Sequence, residues 1–103
     1  MPNSNLKPVL HLIQKNISIL DFGFQVNRMT SSGDDLIFMG DSVFDLTLLN
    51  LEIGTLKDDL SIYVIDSDIK ARSLNHNLSK NIKLISFDDF VALTINAVRI
   101  ISW

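Results

Sequence analysis

Four short apolar runs, each about as long as a β-strand, constrain the fold of this chain more than any other feature. They are VLHLI at 9–13, LIFM at 36–39, SIYVI at 61–65 and IKLI at 82–85. Between them, apolar residues recur at three- and four-residue spacing, which is the period of an amphipathic helix. Strands that alternate with helices are typical of a parallel sheet whose right-handed crossovers place helices on both faces. We therefore expect a small α/β domain with an open, mostly parallel sheet of four to five strands.

Chain length and composition narrow the class of protein further. The 103 residues fit a single domain, 1–103, in which residues 1–5 precede any periodic segment and are expected to form a frayed tail. Apolar residues make up 47% of the chain and the net charge is only −3, so the composition excludes intrinsic disorder and disfavours direct binding of nucleic acid. Neither a signal peptide nor a membrane-spanning segment is predicted, and we expect a cytoplasmic protein.

The helical segment after the second run, roughly 43–51, has an unusual distribution of apolar residues. At about 100° per residue, Asp41, Asp45 and Glu52 fall within one narrow stripe, and apolar side chains cover most of the remaining circumference. The core of a monomer requires only one apolar stripe on each helix. This segment therefore predicts contact with a further surface, with Phe44 and Leu48 as candidate interface or structural residues.

The last helical segment begins after Ser86, which is a candidate N-cap, and is expected to run to about Ala97. Two apolar faces follow from its spacing: Phe90, Leu93 and Ala97 form one, and Val91, Ile95 and Val98 form the other. Phe90 is a candidate interface or structural residue. The remaining apolar tail ends in Trp103, the only tryptophan, which we expect to anchor the tail or an interface.

The residue types that carry most protein chemistry are scarce in this sequence. It contains no cysteine, which excludes a disulfide framework, a thiolate zinc site and a cysteine nucleophile. Its four glycines form no phosphate-binding motif. His11 lies in the first apolar run and is expected to be buried and hydrogen-bonded, although a catalytic base is the alternative. His76 lies in an asparagine-rich segment, without metal-ligand spacing to His11. We expect no catalytic residue, no cofactor and no metal.

Aspartates follow three of the four apolar runs: Asp41 after the second, Asp66 and Asp68 after the third, and Asp88 and Asp89 after the fourth. Ligands of open parallel sheets bind at the carboxyl ends of the strands, where such carboxylates could hold Mg²⁺ or accept a phosphoryl group. Aspartate is also favoured at these positions as a helix cap. We favour capping, and we keep a carboxylate-based phosphoacceptor or metal enzyme and a stand-alone binding domain as alternatives.

Several segments, in this order and at this spacing, resemble the DsrH/TusB family of small sulfur-relay subunits. They are Leu10-His11, the GDSV sequence at 40–43, DIKAR at 68–72 and DFVALT at 89–94. The resemblance extends from about Pro8 to Trp103. The sequence departs from it at Ser42, where glycine is common in such proteins.

This resemblance implies a DsrE/DsrF/DsrH-like fold and a place in a heterohexamer with TusC-like and TusD-like subunits. Such a complex takes persulfide sulfur from a TusA-like donor and passes it to a TusE-like acceptor, for 2-thiolation of the tRNA wobble uridine. The sulfur carrier in this chemistry is a cysteine thiolate, which this chain lacks. We therefore predict a non-catalytic subunit whose partner supplies the sulfur-carrying cysteine.

Overall fold

A computed structural model describes residues 8–14, 26, 28–44, 60–72 and 82–103. The strands are β1 Val9–Ile13, β2 Asp35–Phe38, β3 Ser61–Ile65, β4 Ile82–Ile85 and β5 Arg99–Ser102, and the helices are α1 Asp66–Ala71 and α2 Phe87–Asn96. All five strands are parallel and form one sheet, in the order β4-β3-β2-β1-β5. The predicted α/β class and the parallel sheet are confirmed.

The strand order determines which face of the sheet each connection covers. From β1 to β4 the chain moves one strand at a time in one direction, and it then returns across the sheet to place β5 beside β1. Right-handed crossovers put the first three connections on one face, here called face A, and the last on the other, face B. The contacts agree, since Val26, Val43 and Ile69 of the first three connections pack on face A. Residues of α2 pack on face B.

Each face has its own apolar core, because successive side chains of a strand point to opposite faces. The face A core consists of Ile13, Val26, Leu36, Phe38, Val43, Ile62, Val64, Ile69 and Ile82. The smaller face B core has Leu10, Ile37, Ile65 and Ile85, with Phe90, Leu93 and Ala97 of α2 packed against it. Because both faces of the inner strands are covered, Leu36, Ile37 and Phe38 of β2 form a continuous apolar run, and all four residues of the strand, including Asp35, are buried.

The start of α2 follows the sequence prediction, and the start of α1 does not. Ser86 caps α2 in a reciprocal capping box, in which its hydroxyl accepts from the Asp89 amide at 3.1 Å. The prediction that Asp66 caps α1 is wrong: the N-cap is Ile65, which makes no side-chain hydrogen bond there. Asp66 instead lies in the first turn, where the helix dipole favours an anion, and pairs with Lys70 at 2.9 Å.

The apolar tail is the fifth strand. β5 pairs with β1 from Val9–Arg99 to Leu12–Ser102, and the Trp103 amide adds a hydrogen bond to the Leu12 carbonyl at 2.9 Å. Residues 42–44 begin the predicted second helix, and the rest of that segment, including Leu48, lies outside the described residues. In the connection between β1 and β2, helical residues are described at 26, 28 and 29.

Candidate functional site

A hydrogen-bonded network of three side chains, the buried Asp34 and His11 and the half-buried Trp103, joins distant parts of the sequence. Nε2 of His11 lies 2.9 Å from Oδ2 of Asp34, and Nε1 of Trp103 donates to Nδ1 of His11 at 3.1 Å. The rings of His11 and Trp103 meet edge to face, with their centroids 5.8 Å apart. His11 is wholly inaccessible to solvent, and Asp34 is almost so. These hydrogen bonds therefore connect β1, the turn before β2 and the end of β5.

The hydrogen bond from Trp103 determines which nitrogen of the neutral His11 ring carries the proton. The indole N–H of Trp103 can only donate, so Nδ1 of His11 must accept. In the neutral ring the proton is then on Nε2, which donates to Asp34. Asp34 also accepts from the Ser31 amide at 2.9 Å and the Val9 amide at 3.3 Å. Both nitrogens of His11 are thus engaged inside the fold, which favours the structural interpretation over a catalytic base.

Ser42 joins the carboxyl ends of β1 and β2, the edge of the sheet at which ligands of such folds bind. Its buried hydroxyl lies within hydrogen-bonding distance of the carbonyl oxygens of Ile13 and Met39, and it accepts from the Met39 amide at 3.1 Å. Because a hydroxyl has one proton, it donates to one of these carbonyls at a time. Ser42, the position at which the sequence differs from the glycine common in the family that it resembles, therefore has a structural role.

Two of the strand-end aspartates, Asp41 after β2 and Asp68 after β3, pair with Arg72. Asp41 pairs with the guanidinium at 3.2 Å, and Asp68 pairs with it at 3.4 Å. Asp68 also accepts from the amide of Gly40, whose φ of +59° is easily adopted only by glycine. The guanidinium of Arg72 lies over the ring of Phe44, 5.8 Å from its centroid. These contacts connect α1 to the turn after β2. Both carboxylates, of Asp41 and Asp68, are paired with the guanidinium of Arg72.

No three His, Asp or Glu residues lie close enough together to hold a metal ion, within the part of the chain that the structure describes. In the same residues, neither helix has the length and hydropathy needed to cross a membrane.

Comparison with known proteins places the chain in a family. A family model described as DsrH like protein matches residues 24–99. The chain belongs to the DsrH family. It is 29% identical over 96 residues to Protein TusB of Escherichia coli K12, an alignment that covers 92% of this chain and all of the relative. Protein TusB of Sodalis glossinidius is 35% identical over 77 residues, which is 74% of this chain and 81% of the relative.

The candidate interface or structural residues of this DsrH-family chain lie in different places. His11 is inside the fold, and Trp103 is half-buried against the face A core. Phe90 is half-buried on face B. Phe44 is 42% exposed beside Arg72. Leu48 lies outside the described residues. An interface role for Phe44, Leu48, Phe90 and Trp103 stays a prediction.

Sequence reasoning missed Asp34, Asp35 and Arg72. Asp34 and Asp35 follow the sequence TSSG, which is typical of a turn, whereas Asp35 begins β2. Both aspartates are buried. Two adjacent acidic residues directly before an apolar run could have indicated a buried carboxylate, since at least one of them must lie next to the sheet. Arg72 gave no local signal, because its partner Asp41 is 31 residues away.

Asp35, the first residue of β2, is a buried carboxyl group. Burial, and secondarily the charge of Asp34, raise the pKa of the Asp35 carboxyl above its ordinary value. A raised pKa in the folded state means that folding is favoured when Asp35 is protonated, and that this contribution is lost as pH rises through the raised pKa.

We therefore expect Asp35→Asn, which keeps the shape and removes the charge, to increase the free energy of unfolding at pH 7. The gain should shrink on acidification and vanish below the ordinary aspartate pKa, where the native side chain is also neutral. Urea denaturation at several pH values measures this difference. A loss of stability at pH 7 would show that the Asp35 carboxylate is favourable in the fold.

Proposed function

We propose that this chain is a non-catalytic, TusB-like subunit of a cytoplasmic sulfur-relay complex that serves 2-thiolation of the tRNA wobble uridine. Its partners would be TusC-like and TusD-like chains in a heterohexamer, with a TusA-like sulfur donor and a TusE-like acceptor. Membership of the DsrH family and the TusB relatives support this assignment. The observation that carries the non-catalytic part is the absence of any cysteine from the sequence.

Sulfur relay proceeds by attack of a thiolate on a persulfide or disulfide sulfur, so every carrier in the relay needs a cysteine. This chain has none at any position. It therefore acts on the relay through its contacts with chains that have the thiolate, by holding them in place or by shaping the surroundings of their cysteine.

The groups that could serve other chemistry are engaged within the fold. Both nitrogens of His11 are hydrogen-bonded beneath the surface, to Asp34 and Trp103. At the carboxyl edge of the sheet, Asp41 and Asp68 share Arg72, whose single positive charge offsets part of the negative charge that a metal ion would require. These contacts favour a structural subunit over a carboxylate-based enzyme.

An unusual amount of apolar surface supports a place in an assembly. Phe87, Ile95 and Val98 are 60%, 72% and 64% exposed, although all three lie in or next to a helix that packs on the sheet. Large apolar side chains exposed to this extent on one element favour an interaction site there. A stand-alone binding domain would show the same surface, so the distinction depends on the cellular role.

The test is to delete the gene for this chain in its own cells and to quantify 2-thiouridine in tRNA nucleosides by mass spectrometry. We expect the modified nucleoside to fall by roughly tenfold or more, because the partners' thiolates would lose their positioning. Expression of the intact, cysteine-free chain should restore it, and expression of an unrelated small α/β protein serves as the control. Unchanged thiolation after deletion would refute the proposed function.

A further inference from the structure

The hydrogen bond between Trp103 and His11 requires a neutral histidine ring. The indole N–H of Trp103 can only donate, and Nδ1 of a neutral histidine accepts when the proton is on Nε2. In the imidazolium ion both ring nitrogens carry a proton, so the ring has no acceptor left. The 3.1 Å distance between Nε1 of Trp103 and Nδ1 of His11 therefore belongs to the neutral state of the ring.

The other partner of the ring, Asp34, accepts a hydrogen bond in either state. Its Oδ2 lies 2.9 Å from Nε2 of His11, which carries a proton in both the neutral and the charged ring. The carboxylate charge stabilises an imidazolium ion, whereas the complete burial of His11 disfavours one. Protonation of the ring would thus strengthen its bond to Asp34 and break its bond to Trp103.

Three other charged side chains, Arg99, Asp35 and Arg28, are described on the elements around His11. Arg99 is exposed and lies two residues before the β5 residue in register with His11. Asp35 directly precedes the β2 residue in register with His11, and so points to the opposite face of the sheet. Arg28 is exposed. Of the charged groups that the structure describes, Asp34 is therefore the one bonded to the ring.

Trp103 attaches the end of β5 to the rest of the fold. In the described sheet β5 is an edge strand that pairs with β1, and its four residues are exposed or half-buried. Beyond the last strand pair, the Trp103 amide donates to the Leu12 carbonyl at 2.9 Å, and the indole donates to His11 and packs against the face A core. Loss of the acceptor on His11 would leave two N–H groups facing each other where the ring is closed to water.

We propose that protonation of His11 releases the end of β5 from β1, so that the buried network acts as a pH-sensitive switch. On acidification Nδ1 takes up a proton, becomes a donor and can no longer accept from Trp103. The two N–H groups repel each other, the indole leaves its place against the core, and the amide bond to Leu12 is weakened with it. Release frees the carboxyl end of β1, at the edge of the sheet where Ser42 bonds to the Ile13 carbonyl.

The two partners of His11 predict opposite shifts in the midpoint of this transition. Because the bond from Trp103 is made only to the neutral ring, removing the donor makes protonation easier and moves the midpoint to higher pH. The Asp34 carboxylate stabilises the charged ring, so removing its charge moves the midpoint to lower pH. A network with a purely structural role predicts no coupling between the charge of the ring and the attachment of β5.

The single tryptophan of the sequence makes the switch observable in the full chain, with His76→Gln removing the other histidine. NMR follows protonation of the His11 ring and, in the same samples, protection of the Trp103 indole N–H from exchange, normalised to free indole at each pH. We expect protection to fall by about tenfold or more over the pH interval in which the ring takes up its proton, while circular dichroism shows the sheet still folded. Trp103→Phe should raise the midpoint of ring protonation, and Asp34→Asn should lower it, each by about half a pH unit or more.

Asp35→Asn is the matched control, because burial raises the pKa of this neighbouring carboxyl group and it can take up a proton in the same interval. We expect this variant to keep the loss of indole protection. Protection that stays constant while the ring is protonated, or a loss that Asp35→Asn abolishes, would overturn the proposal. So would a ring that takes up no proton before the sheet unfolds. The measurement does not depend on sulfur relay, so the proposed function can fail while the switch stands.

Discussion

Replacing His11 with alanine should lower the free energy of unfolding by about 3–5 kcal/mol, the largest effect that we expect from any single substitution at the buried network. The substitution leaves a cavity in the sheet and removes the acceptor of the Trp103 indole N–H. It also removes a donor from the carboxylate of Asp34, which is nearly inaccessible to water. The cost of a buried group without its partner is larger than the net gain of a formed hydrogen bond.

Trp103→Phe is the matched control, because it keeps an aromatic ring against the core and removes the donor to His11 with only part of the ring. We expect it to cost about 1 kcal/mol. Urea denaturation curves of the two variants and the native chain measure the ordering. A loss below about 1 kcal/mol for His11→Ala would show that the network contributes little and would reopen the question of a chemical role for His11.

Ser42→Ala should cost about 1–3 kcal/mol, the second largest effect. The hydroxyl of Ser42 connects the carboxyl ends of β1 and β2, where it bonds to main-chain groups of Ile13 and Met39. Alanine fits the space but cannot make these bonds. The site is closed to water, so solvent cannot replace them.

Ser67→Ala controls for the loss of a serine hydroxyl as such, because Ser67 is exposed in the first turn of α1. Its effect should be within about 0.5 kcal/mol, as for most surface substitutions. Thermal unfolding followed by circular dichroism separates the two variants. Equal midpoints would mean that the Ser42 hydroxyl does not hold the strand ends together.

The parts of the fold that were predictable are those that local pattern determines. The apolar runs gave β1, β3 and β4 with their observed ends, and gave β2 within one residue, because continuous apolar runs are required where both faces of a parallel sheet are covered. The Ser86 cap was predictable for a similar reason, since its partner Asp89 is only three residues away.

The parts that were not predictable depend on contacts between residues distant in sequence. The sequence from Arg99 to the end of the chain indicates only an apolar segment. Its position beside β1 depends on pairing with residues 90 positions earlier. The partners of His11 were hidden for the same reason, since Asp34 and Trp103 are 23 and 92 residues away. The strand-end aspartates are compatible with caps, metal ligands or ion pairs, and only the position of Arg72 decides among these for Asp41 and Asp68.

The central claim is that this chain supports sulfur transfer without carrying sulfur. It is tested most directly by loading the assembled complex with isotope-labelled persulfide sulfur, separating its subunits under non-reducing conditions and measuring the intact mass of each chain. Omitting this chain from the reconstitution should reduce transfer to the acceptor. We expect labelled sulfur on a partner's cysteine and none on this chain, which has no thiol to accept it. A labelled sulfur atom covalently bound to this chain, or undiminished transfer when the chain is left out, would contradict the account.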